Sequence, residues 1–214
     1  MKFKTADLSE NYITEGLDES TIQKNPFALF EIWFNDAIEK KILEPNAMTL
    51  ATIDENGNPS ARIVLLKDYN EKGFVFFTNY RSIKGKQIEQ NPNVAIVFWW
   101  GTLARQIRIE GTVKKVSPEE SNAYFSSRPR GSQLGAVVSE QSKTIPNYSF
   151  LEAEFGKASE KYKNKKIERP VYWGGYRVLP VMIEFWQGRE NRLHDRLRFT
   201  KNDMKNWEMK RLAP

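Results

Sequence analysis

Ala47-Met48-Thr49-Leu50-Ala51-Thr52-Ile53, Asp54-Glu55-Asn56-Gly57-Asn58-Pro59 and Ser60-Ala61-Arg62-Ile63-Val64-Leu65-Leu66-Lys67 form the stretch where the periodicity of the chain changes. Before it, Asn25-Pro26 reads as a helix N-cap and first helical position. Phe27, Phe30, Phe34, Ala37 and Ile38 follow at helical spacing, with Trp33 flanking, so an amphipathic helix ends before Pro45. From Ala47 the pattern is strand, turn over 54–59, strand over 60–67. Further strands follow at 73–78, 94–100 and 105–116, with a short helix at 82–90 stopped by Asn91-Pro92. Short strands this close, joined by turns, predict an antiparallel barrel rather than a parallel sheet.

Ser117-Pro118-Glu119-Glu120 is a capping box with proline at the first helical position. Ser149-Phe150-Leu151-Glu152 repeats the pattern and opens a helix to about Lys165. Strands return at 175–179, 181–187, 192–200 and 207–212, and Gly174-Gly175 reads as a bend. The expected fold class is mainly β with inserted helices. One domain spans 25–214, behind a polar arm, 1–24, that reads as mobile and as a possible lid.

Composition narrows the chemistry. The chain has 214 residues, no cysteine and one histidine. Thiolate nucleophiles, disulfides and Cys- or His-rich metal sites are excluded, and no metal is expected. No P-loop and no dinucleotide-binding glycine fingerprint occur. Met1–Tyr12 lacks the apolar core of a secretory signal, and no apolar run approaches the ~20 residues that span a bilayer. The expectation is a cytoplasmic protein with no membrane partner. A net charge of +6 points to an anionic partner, either nucleic acid or a phosphorylated small molecule. Nucleic acid would need aromatics interleaved with Lys and Arg on an exposed face. The aromatics lie instead in apolar runs such as Phe98-Trp99-Trp100, which reads as core or interface. Lys161–Lys166 reads as a solvated helix end.

Three basic segments could carry a site. In a strand over 192–200, side-chain alternation puts Arg192, His194 and Arg196 on one face. Burying such a face without anions would cost several kcal/mol per ion. Ile183-Glu184-Phe185-Trp186-Gln187 joins it through Gly188, so the pair suggests a flat ring bearing phosphate. Arg62–Lys67 brackets an apolar run with two cations, and alone reads as a core strand with solvated ends. Tyr124-Phe125-Ser126-Ser127-Arg128-Pro129-Arg130-Gly131-Ser132 combines hydroxyls and arginines suited to phosphate oxygens. An ordinary connecting loop fits that segment equally well.

Ile183–Gln187 followed by Arg192-Leu193-His194-Asp195-Arg196 resembles the signature of the pyridoxine/pyridoxamine 5′-phosphate oxidases. Arg62–Lys67, Ser127-Arg128-Pro129-Arg130, Gln141-Ser142 and Arg211-Leu212-Ala213-Pro214 resemble the same family, so the likeness runs from about Asn25 onward. It implies an FMN-binding split β-barrel, a homodimer with FMN between subunits, and oxidation of pyridoxamine or pyridoxine 5′-phosphate to pyridoxal 5′-phosphate. Oxygen would reoxidise the flavin and yield hydrogen peroxide.

By position, the resemblance gives Arg62, Ile63, Val64, Leu65, Leu66 and Lys67 as FMN-lining residues, with Lys67 also reaching the substrate phosphate. Phe77, Thr78 and Lys84 would hold the ribityl-phosphate side. Gln106, Gln141, Ser142, Trp186 and Arg196 would complete the FMN site. Tyr124, Arg128 and Ser132 would bind the substrate phosphate. Arg192 and His194, the catalytic pair, would lie with Leu193 at the substrate ring. Two positions depart from the family. Ile83 stands where a basic residue usually grips the FMN phosphate, a loss that Arg81 could offset. In the arm, Tyr12 matches a lid tyrosine, but Ser9 stands where the lid arginine would be. The competing readings are another flavin enzyme of this fold, such as a phenazine-pathway oxidase or a flavin reductase, and a basic β-barrel that binds nucleic acid.

Overall fold

The structure is a computed structural model and describes residues 12, 14, 16–20, 22 and 24–214. The remainder of the 1–24 arm, including Ser9, lies outside the described residues. The elements run α1 (Pro26–Glu39), β1 (Ala47–Ile53), β2 (Pro59–Leu65), β3 (Asp68–Asn70), β4 (Gly73–Asn79), α2 (Ile83–Gln90), β5 (Asn93–Trp100) and β6 (Arg105–Lys115). They continue α3 (Pro118–Ser127), α4 (Arg130–Val138), α5 (Tyr148–Lys161), β7 (Trp173–Gln187), β8 (Asp195–Lys201) and β9 (Trp207–Arg211). The fold is mainly β with inserted helices. Strands hydrogen-bond in the order β2-β1-β5-β6-β7-β4-β3, and β8 pairs with both β7 and β9. The β3–β4, β4–β7, β7–β8 and β8–β9 ladders are antiparallel.

Local signals account for most boundaries. The Asn25 side chain accepts from the Phe27 amide, with Pro26 at the start of α1. Ser117 accepts from the Glu120 amide to cap α3. Ser82 caps α2 through the Gly85 amide. Four expectations change. In α1, Trp33 is a central buried residue and Ile38 is half-exposed, because 26, 30, 33 and 37 form the row that faces the core. Residues 130–138 form α4, which the turn-like Ser-Arg-Pro-Arg-Gly composition disguised as loop. The segments 175–179 and 181–187 are one fifteen-residue strand, with Pro180 inside it. Asn147, rather than Ser149, caps α5.

Gly174 and Gly175 do not form a bend. A Cβ on Gly174 would lie 2.2 Å from the Tyr80 hydroxyl, and one on Gly175 would lie 2.6 Å from Val116. They are glycines because other groups occupy the space a side chain would need.

Packing divides the chain into two compact units. One holds Met1–Thr49, Ala95–Glu110 and Pro180–Pro214; the other holds Leu50–Val94 and Gly111–Leu179. In the first, Phe30, Trp33, Phe98, Phe185 and Phe199 are fully buried and meet edge to face. Such pairs add about 0.5–1.5 kcal/mol each beyond their buried area. In the second, Phe125, Leu134, Ile167 and Trp173 form a cluster, with Phe77 and Tyr124 packed against it.

Candidate active site

The second unit carries a cavity of about 800 Å³. Its walls include Arg62, Lys67, Lys84 and Arg128 and, among the described residues, no aspartate or glutamate. β2 and the residues after it supply Arg62, Ile63, Val64, Leu65 and Lys67. Leu66 turns away and is buried in the core. The strand is half-exposed along its length, so Arg62–Lys67 is a cavity wall and not a core strand with solvated ends.

The Arg62 guanidinium donates to the Leu50 carbonyl at 3.3 Å, to Thr52, and to Gln87 Oε1 at 3.3 Å. All are neutral acceptors, so its charge stays uncompensated. Lys84 Nζ is held by Thr78 Oγ1 at 3.4 Å and Gln141 Oε1 at 3.3 Å, again without a carboxylate. Burial, then the charge of Arg62, lowers the Lys84 pKa. Thr78 also donates to Gln141 at 3.0 Å, which ties the loop after α4 to β4.

Arg128 lies over Trp173, 4.7 Å from its ring centroid. Its Nη1 is buried with no hydrogen-bond partner among the described residues. Leaving such a donor unmatched costs about 1–3 kcal/mol or more, and an anion in the cavity would satisfy it. Phe77, Tyr124 and Trp173 stack with centroids 4.0 Å (Phe77–Tyr124) and 5.6 Å (Phe77–Trp173) apart. Ser132 and Gly135 of α4 complete that wall. The segment that sequence composition left open between phosphate ligands and loop is thus a helical cavity wall. The sequence reading did not include Asn79, Gly135, Ser139 or Trp173, which also line the cavity. The helical spacing of Leu134, Val137 and Val138 was the signal for α4.

Ile83 is half-exposed, and its amide donates to Ser142 Oγ at 3.3 Å. Ser142 adopts a left-handed conformation, φ 75°. Arg81 lies over Tyr172, 4.8 Å from the ring centroid, and does not line the cavity. The idea that Arg81 replaces the missing cation at 83 therefore has no support in its placement.

The first unit gathers the other basic segment. β8 begins at Asp195, not at Arg192; Glu190–Arg192 is a short 3-10 turn. Asn191 and Arg192 adopt left-handed backbone, φ 54° and 59°. Strand alternation therefore does not put Arg192 and His194 on one face with Arg196, because both precede the strand. Contact aligns His194 instead. Its ring packs 4.6 Å from that of Trp186, and Trp186 is the cross-strand partner of Arg196. Burial, then Arg192, lowers the His194 pKa. Leu193 is well exposed. Tyr12 meets both Trp186 and His194 edge to face, at 6.0 and 6.1 Å.

Arg196 is oriented from behind. It donates to the Glu184 carboxylate, and Nη1 donates to the Ala213 carbonyl at 2.9 Å. Glu184 also takes Arg198, with Arg108 Nη1 at 3.8 Å. Burial pushes the Glu184 pKa up, but the hydrogen bonds from Arg196 and Arg198 outweigh it and the net shift is downward. Glu184 carried no role in the sequence reading beyond its place in the motif. Gln106 is half-buried on β6 and lies outside the cavity walls.

Comparison with known proteins places these features in one lineage. Residues 34–162 match the family model described as pyridoxamine 5′-phosphate oxidase. Residues 173–214 match the pyridoxine 5′-phosphate oxidase C-terminal dimerisation region. A pyridoxine/pyridoxamine 5′-phosphate oxidase of Gloeothece citriformis is 55% identical over 209 residues, covering 98% of each chain. One from Paraburkholderia phymatum is 54% identical with the same coverage. Among solved structures, PhzG from Burkholderia lata, in complex with tetrahydrophenazine-1-carboxylic acid, superposes with a TM-score of 0.87 at 25% identity. It covers 94% of this chain and 98% of its own. An FMN-binding protein of Nostoc punctiforme shares the fold, with a TM-score of 0.73 at 18% identity, over 89% of this chain and 98% of its own.

Proposed function

Because the chain belongs to the pyridoxamine 5′-phosphate oxidase family, we propose that it oxidises pyridoxamine and pyridoxine 5′-phosphates to pyridoxal 5′-phosphate with FMN and O2. The observation that carries this reading is the cavity that, among the described residues, has no acidic wall and leaves the buried Arg128 Nη1 without a partner. A phosphate group satisfies that donor, and the neighbouring stack of Phe77, Tyr124 and Trp173 suits a flat ring.

The donor set also fits FMN. Arg62 and Lys84 offer cationic N–H groups held by neutral acceptors, so their charge is free for the cofactor phosphate. Thr78, Gln141 and Ser142 add neutral donors and acceptors beside them. When bound, FMN would supply the redox chemistry: a hydride acceptor that can be reoxidised by O2. The protein's part is to bind and orient. Arg128, Ser132, Tyr124 and Lys67 grip the substrate phosphate. Arg192 and His194 act at the substrate ring, and Arg196 with Trp186 borders the flavin.

The active form is a homodimer with FMN between subunits, consistent with the dimerisation-region match over 173–214. No helix among the described residues is long and apolar enough to cross a membrane. A cytoplasmic enzyme is proposed.

The test is direct. Purified protein should be yellow, with bound FMN, and should consume O2 with pyridoxamine 5′-phosphate. A colourless protein that takes up no added FMN overturns the reading. A second reading, oxidation of a phosphate-free ring, is favoured by the similarity to PhzG. Flavin binding without turnover of either B6 phosphate would select it. Salt-sensitive oligonucleotide binding without flavin would select the nucleic-acid reading.

A further inference from the structure

The bend between β7 and β8 is built around one hydrogen bond. The Arg189 amide donates to His194 Nδ1 at 3.0 Å. A ring nitrogen that accepts a hydrogen bond carries no proton, so in the neutral imidazole the proton sits on Nε2. Turning the ring over would put a carbon against the amide and leave that N–H unmatched. We propose that the Arg189 amide holds His194 as the Nε2–H tautomer, making the imidazole a fixed hydrogen-bond donor rather than a proton acceptor.

The bend is braced to keep this amide in place. The Gly188 amide donates to the Ala104 carbonyl at 2.7 Å. A Cβ on Gly188 would lie 2.6 Å from the Tyr12 ring and 2.8 Å from the Ala104 methyl. The Leu193 amide closes the turn on the Glu190 carbonyl at 3.1 Å. The Arg189 guanidinium pairs with Asp195 at 3.0 Å.

The charges around the ring agree. Arg192 and Arg189 stand on the bend, Asp195 on β8 and Arg211 on β9, and the ring of Tyr12 meets the imidazole edge to face. The carboxylate in this set, Asp195, is taken by the Leu17 amide, Arg189 and Arg211. Among the described residues no carboxylate around the ring is left to stabilise an imidazolium, while the burial and Arg192 charge noted above act against it. The consequence for turnover rests on the proposed oxidase reading. Nε2–H would meet an electron-rich acceptor on the substrate, and His194 would not collect the proton that the substrate loses.

The chain has one histidine, so its ring can be read alone. In holoenzyme labelled with 15N-histidine, at about pH 8, where an ordinary histidine is neutral, Nε2 should show the protonated-type shift and Nδ1 the bare-nitrogen shift. Arg189→Ala keeps the amide and should keep this pattern. A proton on Nδ1, an even mixture, or an imidazolium at that pH overturns the proposal. Activity gives a second reading. His194→Gln can still donate near the Nε2 position without being a base, and should stay within about 10-fold of wild-type kcat/KM. His194→Ala should lose about 100-fold or more. A folded His194→Gln as inactive as His194→Ala also overturns it. A flavin-free, inactive protein with the Nε2–H pattern would sink the oxidase reading and leave this one standing. A yellow, active enzyme with the proton on Nδ1 would do the reverse.

Discussion

One oxygen of the buried Glu184 carboxylate accepts both Nε and Nη2 of Arg196, at 3.0 and 2.8 Å. The other oxygen accepts Nε and Nη2 of Arg198, at 3.2 and 3.0 Å. One carboxylate thus fixes two guanidiniums of β8.

That arrangement separates the roles of neighbouring arginines. Arg196→Ala should weaken FMN binding about 10- to 100-fold, the loss of about one charge-assisted hydrogen bond at about 1.5–3 kcal/mol. Arg192→Ala should keep FMN and lose turnover. Flavin titration by fluorescence quenching, paired with oxygen uptake, measures both. Equal flavin loss in the two variants would refute the division. Glu184→Ala should destabilise the fold by about 1–3 kcal/mol, since it leaves the partly buried guanidiniums of Arg196 and Arg198 without their shared carboxylate.

Arg128→Ala should raise KM for the phosphorylated substrate at least 10-fold and leave FMN affinity unchanged. Its Nη1 has no hydrogen-bond partner among the described residues. Inorganic phosphate should therefore raise the melting temperature of wild type and have little effect on Arg128→Ala. An identical phosphate response in both proteins would count against Arg128 as the anion's anchor.

Ile83→Arg adds a cation where the amide of residue 83 already meets Ser142. FMN affinity should rise several-fold and become more salt-sensitive. Arg81→Ala should change it little, because that guanidinium rests on Tyr172. A large loss of FMN in Arg81→Ala would show that Arg81 leaves Tyr172 for the cofactor.

Stability should fall in acid. Burial pushes the Asp195 pKa up, but the Leu17 amide and the guanidiniums of Arg211 and Arg189 outweigh it, so the net shift is downward. Glu184 behaves alike. A depressed carboxyl stabilises fully above its unfolded pKa, about 4, and that stabilisation is lost as pH falls through the folded value. His194, also lowered, adds a loss that begins near pH 6.5 and runs downward. Melting temperature should drop gently below about pH 6.5 and steeply below about pH 4. Asp195→Asn should blunt the steep part, and an unchanged profile would contradict the assignment.

Gly174→Ala should destabilise, since its Cβ would lie 2.2 Å from the Tyr80 hydroxyl. Gly131→Ala, on α4, meets nothing within 4 Å and should stabilise by up to about 1 kcal/mol. Thermal melts of the two variants should move in opposite directions.

The legible parts of the fold were those with local causes. Asn25-Pro26 and Ser117-Pro118 declare helix starts through side chains that cap the next turn, and β1 is bounded by its own alternation. Where tertiary contact decides, local pattern misled. The rule for strands put His194 beside Arg196, but Trp186 and the Arg189 amide set its place. The double glycine looked like a bend because a neighbouring tyrosine is invisible to a window of sequence. Glu184 could be quoted as part of a motif, yet its partners lie across the β7–β8 ladder and emerge only with the register.

The Gln141 bridge bears on how the protein is made. Its bonds to Thr78 and Lys84 join positions 63 and 57 residues apart. Contacts of such sequence separation form slowly, because loop closure costs entropy before any bond repays it. During synthesis, the strand bearing Thr78 waits until Gln141 has cleared the ribosome. At about 5–20 residues per second, that is a delay of several seconds in which the basic wall stands half-built.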